Sequence, residues 1–293
     1  MHNDTKGHLA ALLTVVIWGI TYISTKLLLE GLAPIEILLL RFIMGFGTLY
    51  LVRPRLLPWQ GRERELQFAA AGLCGICLYY LLENIALTMT YASNVGIISA
   101  VAPFFTAIVG ALFYREREEI NRYFVIGFVV AMAGIYLLTF QNEELVINPL
   151  GDFLALLAMV VWAFYSNIVK QIGTYGYDTI LVTRRVFGYG LLFMLPAARL
   201  LGCNPDLSLL AQPLYLGNLL FLGFGASAMC FVTWNYSVRV LGAVKTSVYI
   251  YLIPVVTVLS AVLVLHEVIT PMTMTGMALT LAGLLLSQRK AEK

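Results

Sequence analysis

Residues 7–26 read GHLAALLTVVIWGITYISTK, and residues 151–170 read GDFLALLAMVVWAFYSNIVK. Each is an apolar run of about twenty residues, the length of helix that crosses the hydrocarbon core of a bilayer. A shift of 144 lays Gly7, Ala11, Leu12, Leu13, Val16, Trp18 and Lys26 on Gly151, Ala155, Leu156, Leu157, Val160, Trp162 and Lys170, and the same shift lays Arg41 on Arg185. The chain is therefore two copies of one unit. A shift of 151 carries Asn84, Ala92, Pro103, Thr106, Leu112 and Glu116 onto Asn235, Ala243, Pro254, Thr257, Leu263 and Glu267, and a shift of 149 carries Gly127 and Gly134 onto Gly276 and Gly283. The changes of register fall at loops, where insertions are tolerated.

Working outward from these stretches, ten apolar windows cover most of the 293 residues, at 8–29, 35–52, 66–89, 92–114, 122–140, 150–172, 178–200, 215–238, 243–265 and 272–288. The apolar fraction of 60%, the charged fraction of 12% and the mean hydropathy of +0.85 exclude a water-soluble globule, in which ~25% of residues are charged. The expected fold is all-α and integral to the membrane, with ten transmembrane helices in repeats 1–141 and 142–293. Five spans per copy is an odd number, so the second copy enters the membrane from the face opposite to the first. Such inverted repeats mark secondary transporters, whose similar halves open a shared site to either side in turn.

Cytoplasmic loops are rich in Lys and Arg. Arg53, Arg55, Arg62 and Arg64, then Arg115, Arg117 and Arg122, then Lys170, then Arg239 and Lys245, and finally Arg289, Lys290 and Lys293 all fall on the side of the chain termini. Both termini are therefore expected in the cytoplasm, with the protein multi-pass in the cell (inner) membrane. The net charge of +3 is accounted for by these loops and gives no reason to expect nucleic-acid binding. Cys74 and Cys77 form a lone CxxC within an apolar helix, which reads as small residues at a helix contact. His2, His8 and His266 have no metal-ligand spacing and no Walker-type loop is present, so neither an enzyme, a metal nor a cofactor is expected.

Polar residues inside spans are where function concentrates, since a carboxylate near mid-bilayer costs roughly 2.5–3.5 kcal/mol on insertion scales. Glu83 is such a residue, suited to holding a proton or an ammonium group, with Tyr79 and Tyr80 on its side of the helix. Its repeat mate is Trp234, which confines the acid to one half. Asn84 and Asn235 read either as interhelical clamps or as substrate contacts. Trp18 with Tyr22, and Trp162 with Tyr165, form semi-polar stripes suited to cavity walls, and Ser99, Thr106, Tyr249 and Tyr251 are further candidates. Pro103 and Pro254 stand half-way along their spans and are expected to bend them, as fixed kinks or as hinges. Lys26 and Lys170 read either as snorkelling to headgroups or as attracting anionic substrates. The partners of Arg41, Arg184 and Arg185 stay open, with Glu36 one candidate. Glycines such as Gly45 and Gly47, Gly72 and Gly75, Gly223 and Gly225, and Gly127 with Gly134 permit close helix packing.

The ten spans, the duplicated unit, the opening ALLTVVIWG at 11–19, the stretch ENIALTMTYASN at 83–94 leading to Pro103, and the acids Glu116 and Glu267 resemble the drug/metabolite transporter superfamily of the EamA type. The resemblance implies interlocked halves, a central cavity among helices one, three, four, six, eight and nine, and helices five and ten at the periphery. It also implies transport of amino acids, nucleotide sugars, drugs or other small metabolites without ATP hydrolysis, often in exchange for protons or another solute. The expectation is an exporter of an amino acid or related compound working by alternating access. Exchange of nucleotide sugars or phosphometabolites, or a channel or sensor role, is the alternative. Expected partners are the lipid bilayer and a small-molecule substrate, with the chain a monomer or homodimer.

Overall fold

The computed structural model describes residues 2–114, 121–139, 149–241, 246, 248–287 and 289. Within them lie ten apolar helices: α1 (Asp4–Leu28), α2 (Pro34–Val52), α3 (Arg62–Met89), α4 (Ala92–Phe113), α5 (Arg122–Leu137), α6 (Pro149–Gly173), α7 (Thr179–Leu200), α8 (Pro213–Leu241), α9 (Tyr249–Leu265) and α10 (Pro271–Ser287). No strand occurs among the described residues. In hydrocarbon every backbone N–H and C=O must be satisfied within its own segment, which is why so apolar a chain is helical throughout. The expected spans match these helices in number and order; α1 and α3 start four residues earlier than expected, α3 through the polar turn Arg62–Glu65, and α9 runs from Tyr249 where 243 was expected, residues 243–245 lying outside the described residues. Glu116, Arg115, Arg117, Ala243, Lys245, Lys290 and Lys293 lie outside the described residues. The face at which α1 begins is termed the near face, and its opposite the far face.

The inversion is visible in how α5 meets α10. Gly127 abuts the carbonyl of Gly283, and Gly134 abuts that of Gly276. Residue numbers rise along one helix as they fall along the other, so these repeat mates pack antiparallel. Because Gly127 is the mate of Gly276 and Gly134 the mate of Gly283, each contact maps onto the other under the repeat. That is the signature of a two-fold axis lying across the helices. Elsewhere the halves interlock: α1 packs on α8 as α6 packs on α3, and α2 packs on α8 as α7 packs on α3. Gly72 of α3 sits against the backbone of Val186 and Gly190 in α7, while its mate Gly223 in α8 sits against Met44 in α2. Neither half could bury its apolar faces alone in this arrangement.

Four helices are interrupted, in mate pairs. α3 widens into a π-helical stretch at Gly72–Leu78 and α8 does so at Phe221–Met229, positions equivalent under the shift of 151. α4 breaks at Ala100 and Val101, so that Pro103 falls in the first turn of a new segment, Ala102–Phe113. α9 opens with a tighter 3₁₀ stretch, Val248–Leu252, and Pro254 again falls in the first turn of a new segment, Ile253–Ser260. Proline lacks the N–H that a continuing helix needs but suits a helix start, which accounts for both bends.

Several polar expectations are corrected by the backbone. Lys26 does not snorkel: its Nζ donates to the carbonyls of Leu87 and Thr90 at 2.7 and 2.6 Å, satisfying the frayed end of α3. Glu36 does not pair with Arg41; it accepts from the N–H of Ala33 at 2.8 Å and of Asn204 at 2.9 Å, fixing the start of α2 and the loop after α7. Arg184 and Arg185 bind the α2–α3 loop, Arg184 through the carbonyls of Arg53 and Arg55, Arg185 through those of Leu57 and Pro58. Arg185 also meets Glu65 at 3.4 Å.

Candidate functional site

A small chamber lies between the two halves at the centre of the bundle. Part of its wall comes in mate pairs. Trp18 of α1 and Trp162 of α6 face each other edge-on with ring centroids 5.7 Å apart. Ser99 and Ala102, flanking the break in α4, line it opposite their mates Ile250 and Ile253 of α9. Thr21, Tyr22 and Met159 complete the sides, and α3 contributes Tyr79, Tyr80 and Glu83. The bends at Pro103 and Pro254 thus bring the broken turns of α4 and α9 to the chamber wall.

The wall is one-sided at α3, since Cys230, Phe231 and Trp234, the mates of Tyr79, Tyr80 and Glu83, do not line it. Glu83 is 2% exposed and accepts a hydrogen bond from the Tyr79 hydroxyl one turn earlier. Its mate Trp234 instead stacks near Trp18, with centroids 5.1 Å apart. Among the lining residues Glu83 is the one carboxylate, and none is lysine or arginine. The surroundings are aromatic: Tyr79 lies 4.7 Å from Tyr80 and 4.9 Å from Trp162, centroid to centroid. A carboxylate held by a single hydroxyl among ring faces keeps lone pairs free for a cation or proton, and the rings suit an apolar body.

Of the residues singled out in the sequence, Trp18, Tyr22, Tyr79, Tyr80, Glu83, Ser99 and Trp162 line the chamber. Tyr165 stands behind Trp162, with centroids 4.9 Å apart. Asn84 and Asn235 are set back from it: Asn84 donates to the Pro34 carbonyl at 3.3 Å and Asn235 to Thr183 Oγ1 at 3.1 Å. Each ties its own half together, α3 to α2 and α8 to α7. Tyr249 turns toward the near face, where its hydroxyl meets His8 Nδ1 at 2.8 Å. Ile250, the mate of Ser99, faces inward in place of Tyr249 or Tyr251. Ile250 and Ile253 were findable as mates of Ser99 and Ala102. Thr21 and Met159 carry no such mark. Phe231, mate of Tyr80, is fully buried beneath both tryptophans and was also missed.

Toward the far face a polar network joins five elements. Glu267, just past α9, caps the start of α4 by accepting from Ala92 N at 3.0 Å and from Ser93 N and Oγ at 3.2 and 2.6 Å. His266 before it adopts a left-handed backbone, φ 54°, which turns the chain back toward α4. Asp152 at the start of α6 accepts from Thr90 Oγ1 at 2.6 Å and from Asn94 Nδ2 at 3.4 Å. Lys26 joins the network from α1.

The EamA-like transporter family model matches twice, over residues 5–140 and 149–288. The chain belongs to the EamA-like transporter family. Within it, an uncharacterized transporter of Archaeoglobus fulgidus is 27% identical over 97% of this chain and 99% of its own. A probable terminal-alkyne amino-acid exporter of Streptantibioticus cattleyicolor is 26% identical over 98% of this chain and 94% of its own. A crystal structure of 19% identity superposes with a TM-score of 0.66 over 96% of each chain, which shows the shared fold. As a member of this family the chain is a multi-pass membrane transporter and not an enzyme.

Proposed function

We propose that this EamA-like protein is a secondary active transporter that exports a small amphipathic metabolite, an amino acid or a close relative, by alternating access. The observation carrying the proposal is Glu83: one buried carboxylate, in a chamber between the two halves. In this reading Glu83 receives the substrate's ammonium group or a proton, while Trp18, Trp162, Tyr22, Tyr79 and Tyr80 enclose its apolar part. Pro103 and Pro254 serve as the hinges about which α4 and α9 open, and the far-face network is the contact released when the chamber opens that way. The relative named as an amino-acid exporter supports the substrate class. A phosphorylated or nucleotide-linked solute is the poorer fit, since the lining offers a carboxylate and no basic side chain to a polyanion. The arginines Arg53, Arg55, Arg62 and Arg64 at the near face favour a cytoplasmic near face in the cell membrane.

Counterflow in vesicles holding the purified protein tests this. Vesicles preloaded with one of the twenty standard amino acids, in turn, are expected to take up the labelled form of at least one. Glu83→Gln should slow that exchange by roughly ten- to a hundredfold, the loss of one hydrogen bond to a charged group, about 1.5–3 kcal/mol. Absence of exchange with every amino acid, or full activity in Glu83→Gln, would contradict the proposal.

A further inference from the structure

Arg41 is a buried cation whose terminal nitrogens have no partner. The side chain is fully buried in α2, its Nε donates to Ser227 Oγ of α8 at 3.0 Å, and both Nη atoms lack a hydrogen-bond acceptor. A guanidinium stays protonated in a protein, and an unpaired buried charge is costly. Part of that cost is offset by ring faces: the guanidinium carbon lies 4.5 Å from the Tyr80 centroid and 5.2 Å from that of Phe42. Contact with the rings does not replace hydrogen bonds, and both Nη atoms are left without an acceptor. The repeat sharpens the anomaly. The mate Arg185 has an acid, Glu65 of α3, whereas the position in α8 equivalent to Glu65 holds Leu216.

The missing acceptor has a natural source. Tyr80, on whose ring Arg41 stacks, is also a wall of the chamber, so the guanidinium stands one aromatic ring away from the space where Glu83 is exposed. Arg41 forms no hydrogen-bonded ion pair with Glu83. We propose that Arg41 is a carboxylate subsite of the chamber, reached when Tyr80 turns aside, and that with Glu83 it selects zwitterionic amino acids. The fork of an arginine matches a carboxylate with two parallel hydrogen bonds. A zwitterion gives its carboxylate to Arg41 and its ammonium to Glu83, leaving no charge unmatched, whereas an amine satisfies Glu83 alone and strands Arg41. This inference rests on the chamber being the substrate site, and the experiment separates the two claims.

For the amino acid that exchanges fastest in the counterflow assay, its amide and its decarboxylated amine are tested as competitors against wild type, Arg41→Gln and Arg41→Lys. Wild type should prefer the free acid over both by at least ~tenfold, the fold-change that follows from losing one hydrogen bond to a charged group. Arg41→Gln should lose that preference while the melting temperature of the substrate-free protein stays level or rises, since an unpaired buried charge has been removed. Arg41→Lys should retain part of the preference. Equal competition by acid and amine in wild type, or an unchanged preference in Arg41→Gln, would overturn the carboxylate subsite and leave the transport reading standing. Should Arg41→Gln fail to fold, the substitution has exposed a structural need for the charge, and the proposal then stands or falls on the wild-type and Arg41→Lys preferences. No exchange of any amino acid by wild type would overturn both.

Discussion

Glu83 and Lys26 illustrate what one residue can and cannot reveal in a membrane sequence. An acid amid apolar neighbours is conspicuous because the bilayer penalises it, so Glu83 could be recognised before any coordinates. The partners of Lys26 are backbone carbonyls at the end of another helix, and carbonyls leave no trace in a sequence; hence the expectation of snorkelling failed. Asn84 shows an intermediate case, conspicuous as a polar residue but turned to the Pro34 carbonyl for reasons of helix phase alone. At this scale Asp152 offers a direct check. It is 3% exposed and accepts from Thr90 and Asn94, so Asp152→Ala strands buried donors at the far face. A destabilisation of about 1–3 kcal/mol is expected, seen as a lower melting temperature in detergent, with Asp152→Asn milder.

Helices were legible because hydrophobic length is a strong signal, but their interruptions were only half legible. Proline announced the breaks in α4 and α9, whereas the π-helical stretches of α3 and α8 have no residue signature comparable to proline. In α9 the aromatic residues Tyr249 and Tyr251 drew attention, whereas the inward position belongs to Ile250, which only the repeat points to. The α5–α10 contact gives a test of packing at this scale. A methyl on Gly134 would lie 2.6 Å from the Gly276 carbonyl and the Thr280 hydroxyl, so Gly134→Ala should cost roughly 1–3 kcal/mol through overpacking. Gly47 in α2, expected at a close helix contact, instead faces open space with nothing within 4 Å of such a methyl, and Gly47→Ala should stabilise by up to ~1 kcal/mol. Melting temperatures of the two variants moving in the same direction would contradict the packing described here.

For the molecule as a whole, the repeat carries the reasoning from sequence to function. Matching Trp18 to Trp162 anticipated the two residues that meet across the axis, and matching Ser99 to Ile250 could have completed the chamber wall. What the repeat could not supply is the departure from symmetry at Arg41, because an unpaired charge is recognised only when the surroundings are known. The account requires repeat mates to sit on opposite sides of the membrane. Lys6 and Leu150 are mates under the shift of 144, at the starts of α1 and α6. In a background with Cys74, Cys77, Cys203 and Cys230 replaced, Lys6→Cys and Leu150→Cys can be exposed separately to a membrane-impermeant thiol reagent in intact cells. Labelling of Leu150→Cys in intact cells, with Lys6→Cys labelled only after the membrane is permeabilised, is the expected result; labelling of both from one side would contradict the inverted architecture and the carrier mechanism built on it.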